Sequence, residues 1–287
     1  MKRIAALSMT VLLGTLAVAP AGAADQEEQI GQQVYQQLQQ KGEILPRPNV
    51  MYNVLDPIAA RIKAVADSQY QYPFQFILVH ETQPNAFAVP GGNVYVTDSL
   101  IKFVQNKEEL AGVLCHETSH DIHHDVVNNM AKDQTTGTII GIVGALTGLN
   151  RSGLGQLGEN MAYTLQTSTF SRAVEHSADA KGAITCAQAH FNPWGMVWLF
   201  QNFEKASAGG SMEALSDHPT DQHRIDDLRA EFAANPRLFG RFSSDIATAT
   251  SVTSSSSSYV KPSHSTARAT AFRHHAYHPA GYCCAPH

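Results

Sequence analysis

The sequence predicts an α+β fold that is mainly helical, with one small sheet beside a long central helix. Three observations carry this prediction. Apolar residues recur at helical spacing in several stretches of a dozen residues or more. Three short segments rich in β-branched and aromatic residues fall together between residues 72 and 97. The last two are joined by Pro90-Gly91-Gly92, which is hairpin chemistry.

Taken in order, residues 26–41 form a surface helix, with Ile30, Val34, Leu38 and Lys41 in register. Residues 53–66 form a second, with Val54, Ile58, Ile62 and Val65 on one face. Strands follow over 72–80, 85–89 and 93–97, and then one long helix over 107–132. Residues 133–158 are Gly-rich and apolar and read as an insertion or loop too short to span a bilayer. Helices resume over 160–190, from Pro193 through Phe203, and over 220–234. From residue 243 to 287 the composition collapses into Ser, Thr, Ala and His, including Ser254 to Ser258. That stretch reads as a disordered tail, because it has too little apolar surface to order itself.

The ends and the charge narrow the function. Lys2 and Arg3 precede an apolar run ending near Val18, and Ala21-Gly22-Ala23 supplies small residues for cleavage. Residues 1–23 therefore read as an export signal, with no stable membrane span after its removal. The domain is then 24–242, and 43% hydrophobic content suffices for its core. A net charge of -5 with no basic stripe excludes a nucleic-acid partner. Cys115 and Cys186 fall in apolar helical segments and read as free, buried, small apolar residues. Cys283 and Cys284 lie in the tail.

The chemistry is concentrated in His116-Glu117-Thr118-Ser119-His120, an HExxH sequence in the long helix. Two His four apart share one helix face and can reach one ion. Glu117 projects beside them, placed to take a proton from the attacking water as catalytic base. Downstream, Glu175-His176-Ser177-Ala178-Asp179 has the ExxAD pattern. Glu175 is the third ligand of a His₂Glu site for one Zn2+ per chain. Asp179, one turn on, is placed to hydrogen-bond the second nitrogen of a ligand His. His123 and His124, two turns beyond His116, read as surface or second-site residues, and His176 as structural. His264, His274, His275, His278 and His287, with Cys283 and Cys284, make a metal-capable tail of the kind that usually binds metal adventitiously.

With these motifs the sequence resembles the gluzincin zinc metallopeptidases that include HtpX and the CAAX prenyl endopeptidases, especially the exported bacterial members. The resemblance runs over residues 26–234. It also rests on residues 85–92 and 94–97, Phe170-Ser171-Arg172, Asn192-Pro193, His218-Pro219 and Arg224-Ile225. It implies a zincin-like fold with the sheet beside the active-site helix, and cleavage of peptide bonds in unfolded or misfolded proteins. It also implies a bacterial periplasmic setting in envelope protein quality control. Asn85, Ala86 and Phe87 are the expected substrate-binding strand, since a sheet edge can pair with an extended peptide. His218, just ahead of a helix, is an expected catalytic residue, either a donor to the oxyanion or a resting ligand. Arg224 is placed to support the loop or the oxyanion. The rival reading is a zinc-containing chaperone or peptide-binding module with little proteolysis. Loss of Glu117 would have favoured it, and Glu117 is present.

Overall fold

The structure is a computed structural model that describes residues 23–132, 170–208 and 222–252. Residues 1–22, the Gly-rich stretch 133–158, His218 and residues 253–287 lie outside the described residues. In chain order the elements are α1 (Ala23–Gln40), α2 (Tyr52–Ala66), β1 (Gln75–Val79), β2 (Ala86–Val89), β3 (Asn93–Thr97), α3 (Asp98–Phe103) and α4 (Lys107–Ile122). There follow α5 (Asp125–Lys132), α6 (Arg172–Gln188), α7 (Trp194–Ala208), α8 (Gln222–Ala234), α9 (Pro236–Phe239) and a 3₁₀ turn over Ile246–Thr248.

The sheet has the order β1-β3-β2, with β1 parallel and β2 antiparallel to β3. Gly91 and Gly92 form the β2–β3 turn with φ of 99° and 88°, a region side chains rarely adopt. A Cβ at Gly91 would also lie 2.9 Å from Glu27 O on α1. α1 does more than cover a surface. Its Ile30, Val34 and Leu38 pack into one apolar cluster with Phe87, Val89, Tyr95 and Val126. The outer edge of β1 is closed by the preceding loop, through an Ile44–Val79 bridge and a bond from Leu45 N–H to Leu78 O. β2 is thus the other edge of the sheet.

α4 is the core of the molecule. Every residue from Glu108 to Asp121 is buried, so it shows little amphipathic signal despite being the best-packed helix. Asn106 starts it by accepting from Glu109 N–H, and Glu109 reaches back to accept from Gln105 N–H, a reciprocal cap.

Three expectations need correction. The single helix over 107–132 is two, α4 and α5, broken at His123–His124. His124 adopts φ of 55°, and its Nδ1 lies 2.6 Å from Glu27 Oε1. No Gly or Pro marks the break, because a tertiary contact holds it.

Cys115 and Cys186 are not free. They form a disulfide with a Cα–Cα distance of 5.8 Å. α4 and α6 approach so closely that a Cβ at Gly182 would lie 3.0 Å from His116 Cα, and this contact brings the two sulfurs together. Closing a loop of 71 residues stabilises the fold by about 4 kcal/mol in the chain-entropy treatment.

The chain also stays ordered beyond 242, where the tail was expected to begin. Trp198 Nε1–H donates to Ser244 O at 3.2 Å, Asn192 Nδ2–H to Ser243 O at 2.8 Å, and Lys107 N–H to Thr250 O at 2.9 Å. Thr250 N–H in turn donates to Glu108 Oε2 at 2.8 Å. Main-chain bonds tie this segment down, and a count of apolar side chains does not register them.

Candidate active site

His116 and His120 project from the same face of α4 with their Nε2 atoms 3.1 Å apart. Glu175 enters from the first turn of α6. Its Oε2 lies 3.5 Å from His116 Nε2, and its Oε1 lies 3.8 Å from His120 Nε2. All three are buried, and each offers one ligand atom within 4.8 Å of the others. Among the described residues this is the only such convergence of three or more His, Cys, Asp or Glu. Two imidazole nitrogens and one carboxylate with adjoining space fit a zinc ion that keeps a position open.

Each imidazole is held from behind by a carboxylate. His116 Nδ1 lies 2.9 Å from Asp179 Oδ1, and His120 Nδ1 lies 2.9 Å from Asp125 Oδ2. With a metal bound, protons on the two Nδ1 atoms would leave both Nε2 lone pairs directed at one point. Asp179 was expected from sequence, whereas Asp125 was not. Phe170 stacks on the His120 ring at 4.4 Å and 12°, and Ser171 caps α6 by accepting from Val174 N–H. The Phe170-Ser171 pair thus serves both the imidazole and the helix that carries Glu175.

Arg224, on α8, joins the carboxylates. Its Nε and Nη2 donate to Asp179 Oδ2 and Oδ1 at 2.8 and 2.7 Å, and its Nη1 lies 2.9 Å from Glu175 Oε2. The guanidinium also lies 4.4 Å over the Phe200 ring. Burial pushes the Asp179 carboxyl up, but Arg224 and His116 outweigh it and hold it below the usual carboxylate range. Burial likewise lowers His116. The Asp179 and Glu175 carboxylates outweigh it and raise the metal-free imidazole to about 10.

Glu117 Oε2 accepts a hydrogen bond from Ala88 N–H at 2.9 Å, fixing the carboxylate against β2. The Ala88 amide therefore points away from β3, and by antiparallel alternation so does that of Ala86. Asn85 and Phe87 are placed differently. Asn85 bonds Thr97 through both its N–H and its C=O, and Phe87 is buried with its ring stacked on Tyr95 at 5.1 Å. Ala86 instead lines a pocket with His116, Glu117 and Arg224, whose apolar wall is Val113, Met196, Leu199 and Phe200. One turn on from Glu117, burial and then the nearby Glu27 and Glu117 push the Asp121 carboxyl well up.

His218 lies outside the described residues. His176 is exposed and lines a separate pocket with Arg172, His223 and Asp227 that also touches Glu175. His123 is partly buried and directed toward Asp125 at 3.8 Å.

Comparison with known proteins agrees with this geometry. The chain is 27% identical over 251 residues to the beta-barrel assembly-enhancing protease of Escherichia coli K12, covering 79% of this chain and 51% of that one. It is 29% identical over 213 residues to the protein of the same name from Yersinia pestis, covering 71% and 43%. It is 27% identical over 207 residues to mitochondrial metalloendopeptidase OMA1 of Schizosaccharomyces pombe, covering 70% and 59%. The chain spans about half the length of the curated relatives it matches. Residues 53–232 match Peptidase family M48 along a stretch that contains both helices bearing the converging ligands, and the chain belongs to that family.

Proposed function

We propose that this chain is a zinc-dependent endopeptidase that hydrolyses peptide bonds in unfolded or misfolded proteins. The observation that carries this reading is the convergence of His116, His120 and Glu175 beside a Glu117 carboxylate pinned to the edge of the sheet. A zinc ion in such a site supplies Lewis-acid activation of water and of the scissile carbonyl.

The chain's own residues do the rest. Asp179 and Asp125 hold the ligand imidazoles in one tautomer, and Arg224 fixes the Asp179 and Glu175 carboxylates. Glu117 takes the proton from the attacking water and delivers it to the leaving amine, its carboxylate oriented by the Ala88 amide. An extended substrate pairs with the outer edge of β2 at Ala86, whose backbone faces away from β3, so Asn85 and Phe87 act by holding that edge. The pocket beyond Ala86 is small and apolar, walled by Val113, Met196, Leu199 and Phe200, and borders the cleaved bond. His218 is kept as a candidate donor to the oxyanion or a resting ligand, and Arg224 acts on the carboxylates of the site.

The setting proposed is the bacterial periplasm, in envelope protein quality control. Relatives named for enhancing beta-barrel assembly and the signal-like residues 1–23 support it. No helix among the described residues is long and apolar enough to cross a membrane.

Metal analysis and cleavage of a denatured protein, with and without chelator, test the proposal together. It requires one zinc per chain and cleavage that stops on chelation and returns with zinc. Cleavage indifferent to the chelator would refute it.

A further inference from the structure

Asp125 lies five residues beyond His120, a spacing that does not permit contact in a continuous helix. Residues five apart are about 140° around the axis and about 7.5 Å along it. Asp125 nevertheless reaches His120 Nδ1 at 2.9 Å, because the helix breaks between them. His123 N–H closes α4 onto Ser119 O, His124 N–H bonds Asp121 O, and α5 restarts at Asp125.

The break turns on His124 at φ 55°, left-handed for a residue with a side chain. Two contacts on α1 hold it. His124 Nδ1–H donates to the buried Glu27 carboxylate at 2.6 Å, and Val126, on the first turn of α5, packs with Ile30, Val34 and Leu38. Glu27 is itself fixed, accepting from Tyr70 Oη–H at 2.8 Å and Gln71 Nε2–H at 3.0 Å.

We propose that Asp125 is the positioning residue for His120, and that the Glu27–His124 bond is a latch by which α1 holds the helix break that delivers Asp125 to the site. The latch lies outside the HExxH and ExxAD motifs and makes the geometry of one ligand depend on the N-terminal helix. This rests on the reading of the site as a zinc centre. Two readouts therefore separate the two ideas: zinc affinity by competition with a chelator, and the tautomer of His120 in the metal-free protein by nitrogen NMR.

Asp125→Ala should weaken zinc binding about 10- to 100-fold, with Asp125→Asn in between, as for other partners of ligand imidazoles. In the metal-free protein, His120 should carry its proton on Nδ1 and lose that preference in Asp125→Ala. At position 124 the two small residues should part. His124→Gly removes the bond but adopts the left-handed conformation freely, so zinc affinity should stay within about threefold of wild type. His124→Ala loses the bond and disfavours the turn, so affinity should fall about fivefold or more. Glu27→Ala should weaken zinc binding in the wild-type background and add nothing in the Asp125→Ala background, because its effect passes through Asp125.

Unchanged affinity and tautomer in Asp125→Ala would overturn the positioning role. Equal affinities for His124→Gly and His124→Ala, or additive Glu27 and Asp125 effects, would overturn the latch. A wild-type chain that shows the His120 tautomer but binds no zinc would contradict the zinc centre and leave the orienting contact standing.

Discussion

Cys115 and Cys186 join α4 to α6 by a disulfide one residue from His116, so a covalent bond ties together the two helices that supply all three converging ligands. Gly182, one turn before Cys186, lets the α6 backbone meet that of His116 at the same level. Replacing both cysteines by Ala, or reducing them, should lower stability by about 2–5 kcal/mol. Urea denaturation with and without a dithiol reductant measures this. An unchanged midpoint would mean that the helix packing alone holds the pair.

Arg224 is the cation that Asp179 and Glu175 share. Arg224→Ala leaves two buried carboxylates without it and should destabilise the metal-free protein by about 3–5 kcal/mol. The loss should be smaller in zinc, since a bound cation compensates part of the charge. Arg224→Lys should recover only part, because one ammonium cannot match a bidentate fork. Equal losses with and without zinc would show that Arg224 acts by packing on Phe200.

Proton release follows from His116. Its metal-free imidazole is raised to about 10, against about 6.5 in an unfolded chain. The sign is that of a raised pKa: the stabilisation is fully present below about 6.5 and is lost as pH rises through about 10. At pH 8 the metal-free site therefore holds that proton, and zinc binding should release about one proton per chain from it. Titration in weakly buffered solution measures this, and zinc uptake without proton release would contradict the charged state.

The segment after 242 provides a test against composition. Ending the chain at 252 should leave the fold intact, whereas ending it at 242 removes the acceptors for Trp198 Nε1–H and Lys107 N–H and the donor to Glu108. That deletion should cost about 1–3 kcal/mol. Thermal unfolding of the two truncations should separate them, and equal midpoints would show that residues 243–252 are dispensable.

Much of the fold was legible because periodicity and turn chemistry are local. Ile30, Val34 and Leu38 announced α1, and Pro90-Gly91-Gly92 announced the hairpin. The convergence of His116, His120 and Glu175 was legible for a similar reason, since His116 and His120 share a helix face and Glu175 opens the next ExxAD. What escaped depends on contacts distant in sequence. The break at His124 is held by Glu27, 97 residues away, and the disulfide by a close approach of α4 and α6. Asp125 escaped with them, because its contact with His120 exists only once the helix is broken. Phe87 lies on β2 and Asn85 just ahead of it, yet only the alternation set by Ala88 shows that Ala86 faces the pocket.

Turnover of a denatured protein by the zinc-loaded Glu117→Gln variant probes the chemistry most directly. The amide side chain keeps the shape of Glu117 and can still accept from Ala88 N–H, but it cannot take a proton from water. With Glu117 as the catalytic base, the variant should bind one zinc per chain, unfold at the wild-type midpoint, and cleave at least about 100-fold more slowly. Turnover within a few-fold of wild type at full zinc occupancy would contradict that role and with it the proposed mechanism.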